Sequence, residues 1–181
     1  MSAREDWRGE VLRFWFGLDR AQWFVADAEL DHRIRECFLR LWHEKQALPP
    51  EKFLLDPLTA LAAVLLFDQL PRNMFRGHAD QFATDSLALA VARGAVGREF
   101  DEQLDTDERA FLYLPFGHSE GIVDQRQSLL LVTALGEPDY LDYAKKHYDI
   151  IERFGRFPHR NAVLGRAPRP DEIAAGDVNP F

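Results

Sequence analysis

The chain has 181 residues, 46% of them hydrophobic and 12% aromatic, enough for one sizeable core and too few for two large ones. Its net charge of -8 excludes broad nucleic-acid binding and adhesion to an anionic membrane, both of which need an excess of Lys and Arg. The only cysteine, Cys37, excludes an intrachain disulfide and a thiolate-rich zinc site, and fits a reducing, cytoplasmic compartment.

Met1 to Trp7 lacks the cationic-then-apolar order of a signal peptide. The most apolar stretch, Leu58 to Phe67, is well below the roughly 18 residues of a spanning helix, so a soluble protein is expected. Apolar positions recur at helical spacing almost throughout, and no segment keeps strand alternation for long; the expected fold is all-α. A first helix is expected over about Arg4 to Phe16, stopping at Gly17. A second, from Asp27 to about Ala47, carries Leu30, Ile34, Phe38, Leu41 and Lys45 on one stripe, and Pro49-Pro50 prevents its continuation. Asp56-Pro57 reads as an N-cap with proline at the first helical position. The following Leu58 to Phe67, apolar on all sides, is expected to be the buried centre, and its C-terminal end delivers Asp68, Gln69 and Arg72.

Asp85 is expected to cap a short helix through Val96, and Asp105 or Thr106 a helix that ends before Pro115. Ser119 with Glu120 opens the next helix, to Leu135. Gly136-Glu137-Pro138 then turns the chain into the last long helix, to about Phe154; such short connections imply antiparallel helical hairpins. On this last helix Tyr140, Ala144, His147, Ile151 and Phe154 share a face, so His147 points inward. Phe14, Trp15, Phe16, Trp23 and Phe24 read as core anchors. The chain, 1–181, is expected to be one compact domain, with a core over about 4–166 and a tail, 167–181, ending in a short turn and Phe181.

Two polar runs stand out, Asp68 to Gly77 and Arg153 to Asn161, which concentrate Arg, Asn and carboxamides where a plain loop needs only Gly, Pro or Ser. Arg153, Arg156, Arg160, Arg166 and Arg169, with His159, occur in a stretch free of Asp and Glu. Arg72, Arg76, Arg156 and Arg160 can fork onto a phosphate or carboxylate. They can equally satisfy helix C-termini and pair with Asp68, Glu120 or Asp124. Asp68, Gln69, Asn73 and Asn161 complete the candidate ligand-binding set.

His118, Glu120, Asp124, His147 and His159 are the candidate acid/base groups. Their spacing matches no zinc signature and nearby guanidinium groups oppose a bare cation, so no metal is expected. P-loop, G-x-G and nucleophile-elbow patterns are absent, and no cofactor is predicted. Cys37 has no activating partner in sequence.

These residues are compatible with three functions. The favoured one is binding of a small anionic ligand or peptide carboxylate in a polar cleft. The others are hydrolase- or lyase-like acid/base chemistry on a phosphate- or carboxylate-bearing small molecule, and a purely structural latch in a protein-interaction domain. Oligomeric state and partner proteins have no signature in the chain.

Taken in order, Val11 to Gly17, Trp23-Phe24, Leu66 to Gly77, Phe82 to Asp85, Phe111 to Glu120 and Arg153 to Asn161 resemble a bacterial family known as domain of unknown function 924, over about residues 7 to 175. The resemblance implies a tetratricopeptide-repeat-like, right-handed array of helical hairpins, and implies no activity. A regular repeat of roughly 34 residues cannot be laid along the chain.

Overall fold

The computed structural model describes residues 6–180; the expected helix start at Arg4 and the terminal Phe181 lie outside them. Among the described residues the chain forms helices and turns and no strand, and no helix is long and apolar enough to cross a membrane. Helix α1 (Trp7–Phe16) ends at Gly17. Helix α2 (Ala28–Lys45) starts at Asp27, whose carboxylate accepts the Glu29 and Leu30 amides at 2.9 and 3.2 Å. It buries Leu30, Ile34, Phe38 and Trp42. Trp42, a four-residue step beyond Phe38, is buried with them, and Leu41 packs partly buried on the core beside it.

Helix α3 (Pro57–Val64) is capped by Asp56, which accepts the Thr59 amide at 2.8 Å. The helical path does not end at Phe67. It passes through a π turn, Leu65–Gln69, in which the Leu70 amide bonds the Leu65 carbonyl, and on into α4 (Leu70–Met74). Every residue from Thr59 to Pro71 is buried. Pro71 has no N–H to give the Phe67 carbonyl. That carbonyl accepts instead from Thr84 Oγ1 at 2.6 Å, and the same hydroxyl accepts the Trp42 indole N–H at 3.1 Å.

Helix α5 (Asp85–Val96) packs its Ala88, Val91, Ala92 and Ala95 side inward and lies against α3. Asp85 is not its cap; the helix follows Thr84, and the Asp85 carboxylate is drawn to Arg72. Helix α6 (Thr106–His118) begins with a reciprocal cap, Asp105 accepting the Glu108 amide at 2.9 Å and Glu108 accepting the Asp105 amide at 3.0 Å.

Helix α6 does not stop before Pro115. An interior proline costs about 3 kcal/mol, but Phe111, Leu112 and Phe116 are buried along the same helix, each stabilising by about 1.5–3 kcal/mol. Ser119 and Glu120 do not open the next helix, because α7 (Ile122–Leu135) follows Gly121. They sit in the link, where the Gln125 side chain donates to the Gly117 and Ser119 carbonyls at 2.7 Å each and so satisfies the end of α6.

Gly136, at φ +81°, turns the chain into α8 (Pro138–Phe154), so that α6, α7 and α8 pack on one another in succession. The tail is more than a turn. After a short 3-10 turn, Pro158–Arg160, it forms α9 (Pro170–Ala175), which buries Glu172. The main core surrounds α3, and Ile150, Ile151, Phe154 and Phe157 form a smaller cluster next to Val178. Of the expected anchors Trp15 is buried, Phe14, Phe16 and Trp23 pack partly buried on the core, and Phe24 is exposed.

Thr84→Val keeps the side-chain shape while orphaning the Phe67 carbonyl and the Trp42 indole. Its expected effect is a loss of about 1–3 kcal/mol for each group, read as a lower urea midpoint with an unchanged slope.

Candidate functional site

The π turn determines where the first polar run points. It carries Asp68, which has no exposure, and Gln69 into the interior. Helix α6 ends directly opposite, and His118 Nδ1 lies 2.8 and 2.9 Å from the two Asp68 oxygens. Gln69 donates to the same carboxylate, and Arg72 Nη1 lies 3.4 Å from it while also bonding the Asp68 carbonyl. Burial alone would raise the Asp68 carboxyl; the Arg72 charge and His118 outweigh it and hold the group down at about 2. Asp68 is therefore ionised, and His118 must carry a hydrogen on Nδ1 to donate to it.

Burial, against the pull of Asp68 and with Arg72 adding repulsion, lowers the His118 pKa, so the ring is neutral near pH 7. Its Nε2 then accepts, and the group in reach is the Tyr143 hydroxyl of α8, at 3.0 Å. Burial raises the Tyr143 pKa, Arg72 opposing, and the phenol keeps its hydrogen. Asp68, His118 and Tyr143 thus form one hydrogen-bonded line from the sealed interior to a residue on α8 that is itself only partly buried.

Arg72 also holds Asp85 with both arms, at 2.9 and 3.0 Å. On the far side of Asp85 stands Arg160, its Nη1 3.7 Å away, its Nη2 donating to the His118 carbonyl at 3.1 Å. The Arg160 guanidinium lies 4.5 Å from the ring centres of both Phe82 and Phe157, and its buried Nε has no hydrogen-bond partner among the described residues. Burial, with repulsion from Arg72, lowers its pKa to about 10. His147, 1% exposed, packs its ring 4.0 Å from that of Tyr143; burial and then His118 lower it to about 3.

The two runs meet, but only in part. Asp68, Gln69, Arg72, His118, His147 and Arg160 share this cluster. Asn73 and Arg76 turn away to Asp31 of α2, at 2.8 Å for the amide and 2.6 and 2.9 Å for the guanidinium. Arg156 and Asn161 bond Glu172 of α9 instead, Arg156 at 2.5 and 2.8 Å and Asn161 at 2.8 Å. Glu120 pairs with Arg166 at 2.8 and 3.0 Å and accepts the Phe157 amide at 2.7 Å. Asp124 takes Arg93 and the Ser119 hydroxyl.

His159 is half-buried beside Phe157, where burial and Arg160 lower it to about 4. Among the described residues no group of three His, Cys, Asp or Glu is placed to hold a metal ion. Sequence reasoning missed two members of the cluster. Asp85 was absorbed by its reading as a cap. Tyr143 lies one turn before His147 on α8, the one signal that could have found it.

A family model described as a bacterial protein of unknown function, DUF924, matches residues 11–175. The solved structure of a protein of unknown function from Agrobacterium tumefaciens is similar, with 38% identity, a TM-score of 0.82 and coverage of 93% of this chain and 95% of that one. No curated protein matches the chain.

Asp68→Ala leaves Arg72 and His118 facing each other in a buried space, and a loss of about 3–5 kcal/mol is expected in urea unfolding. Acid acts through the histidines. His147 and His159 have folded values of about 3 and 4 against an ordinary 6.5, and His118 is lowered too, so below 6.5 the unfolded chain binds more protons. Stability should fall as pH drops from about 6.5 toward 4, the buried His147 adding up to about 1.4 kcal/mol per pH unit and the half-buried His159 less, because solvent screens its charge. Asp68 adds its own loss lower down, between 3.8 and about 2. Urea midpoints measured from pH 7.5 to 4 check the slope.

Proposed function

The chain belongs to the bacterial DUF924 family, and for this member we propose that the Arg72–Asp85–Arg160 cluster binds a small oxyanion, the carboxylate or phosphate group of a small molecule or of a peptide end. Arg160 carries the reading. It is 7% exposed, its Nε has no partner among the described residues, and the carboxylate it faces, Asp85, is already held by both arms of Arg72. Its one hydrogen bond goes to a neutral carbonyl, that of His118, and a buried cation without a carboxylate of its own is costly. An oxyanion supplies that acceptor and suits the paired donors of guanidinium. The Arg72 and Asp85 side chains, each 20% exposed, form the approach from solvent.

Asp68 supports a structural role for the same cluster, since it is sealed and bonded on every side by this chain. Asp68 and Arg72 brace the helix ends, whereas Arg160 receives the ion. The hairpin run of α6 to α8 supports a tetratricopeptide-like array, and Cys37, the one cysteine, supports a reducing compartment.

Thermal unfolding with sodium phosphate, sulfate or acetate tests the binding. At least one of these ions should raise the midpoint of the wild type and of the exposed control Arg153→Ala equally. Arg160→Met should rise only by the general salt effect. Equal shifts in all three proteins with every ion refute an ion site at Arg160.

A further inference from the structure

The loop between α1 and α2 carries aromatic residues for which the cluster around Asp68 has no use. We propose that Phe24, Val25 and Ala26 of this loop form a docking point for another protein, one that offers an amphipathic helix whose apolar side is bordered by Lys or Arg. Phe24 and Val25 are 61% and 63% exposed, and Ala26 beside them is exposed as well. Leu55, Val123 and Leu130, similarly exposed, stand singly between side chains that are at least partly buried. Single apolar side chains in solvent are ordinary, whereas a consecutive run of them adds nothing to the fold and marks a surface that something else covers.

The run is displayed on a fixed support. Trp23, the last residue of a short 3-10 turn, Arg20–Trp23, donates its indole N–H to the Trp15 carbonyl at 2.9 Å. Its ring stands edge-on to those of Phe16 and Phe111, with centres 5.9 and 5.0 Å away. Phe24 packs edge-on against Trp23 in turn, at 6.3 Å. Arg20 ties the same turn to α6 through Asp107 at 3.2 Å, and beyond the run Asp27 caps α2 and fixes where the chain leaves the loop. A large aromatic side chain held in this way brings apolar area to a contact and has little freedom left to lose on binding.

Charge decides between the possible occupants. Asp19 and Asp27 flank the run in the chain, and Glu29 lies in the first turn of α2. Among the described residues none of these three carboxylates meets a Lys or Arg: Arg20 is taken by Asp107, and Arg76 by Asp31. A second copy presenting the same face would set carboxylates against carboxylates, and an anionic membrane would meet the same repulsion from a chain of net charge -8. Lys and Arg at the border of an apolar surface are the complement, and an amphipathic helix carries both on one face.

Fluorescence anisotropy of a labelled amphipathic peptide of about 18 residues, built from Leu and Lys and long enough to be helical, is followed as the whole chain is added. Saturable binding is expected, equal for the wild type and for Val123→Ser, which removes a comparably exposed apolar side chain from α7. Phe24→Ser should weaken it at least about tenfold, the effect of losing a central aromatic anchor. Glu29→Lys should weaken it about threefold, as a charge at the border of a contact does, and added salt should weaken the wild type in the same direction. If Phe24→Ser does not fold, amide shifts of the wild type give the same answer, because the peptide should move the signals of Phe24, Val25 and Ala26.

Equal affinity in the wild type and a folded Phe24→Ser protein, amide shifts that spare Phe24 to Ala26, or absence of saturable binding overturns the docking point. A Leu/Glu peptide of the same pattern that binds as tightly as the Leu/Lys peptide overturns the basic partner. Sedimentation of the wild type as a dimer that Phe24→Ser dissolves gives the surface to a second copy instead. Phe24-dependent binding to phosphatidylcholine vesicles gives it to lipid, and either result overturns the assignment to a basic helix.

Discussion

A carboxylate with no access to water is stable as an anion only where positive charge and hydrogen-bond donors are fixed around it, and Asp68 is such a carboxylate. Its partners are drawn from separate parts of the chain. Gln69 and Arg72 come from its own helical path, His118 from the last residue of α6, and Asp85 enters through Arg72 from the first turn of α5. Tyr143 then ties α8 to His118, and Arg160 ties the turn beyond α8 to the His118 carbonyl. Helix ends that would otherwise stop near one another are fixed in one arrangement because each supplies a partner that another needs.

Much of the fold was legible because burial and helix capping leave local marks. Asp56-Pro57, the Gly136 turn and the inward face of α8 could be read directly, since each depends on residues within one or two turns. The errors fall where tertiary packing overrides a local rule. Pro115 looks like a terminus, yet the helix runs through it between buried aromatics; the central apolar helix is expected to end at Phe67, yet its path continues past Pro71, and Thr84 takes the carbonyl that the proline leaves free. Ser119 and Glu120 look like a helix start, but Gly121 holds that position and Glu120 is drawn off by Arg166.

The site was legible as residue types and not as partnerships. Which carboxylate an arginine meets depends on which helices pack, and the Arg-rich stretch divides accordingly. Arg156 binds the tail through Glu172, Arg166 the α6–α7 link through Glu120, and Arg169 the end of α8 through the Phe154 carbonyl. Arg160 alone turns under Phe82 and Phe157 into the cluster. Asp31 likewise removes Asn73 and Arg76 from it. Tyr143 carried no mark of its own, because its value lies in the α6 end that it faces.

The π turn has a further consequence, for how this segment can change over evolution. A π turn holds one residue more than the α turn it replaces, and each residue advances the helix by about 100°. The inward aim of Asp68 is therefore a matter of phase. Exchange of one apolar side chain for another between Leu61 and Leu66 leaves that phase intact, whereas removal of a single residue would rotate the carboxylate away from His118 while sparing its identity. Descent in this segment should be conservative in length before it is conservative in composition.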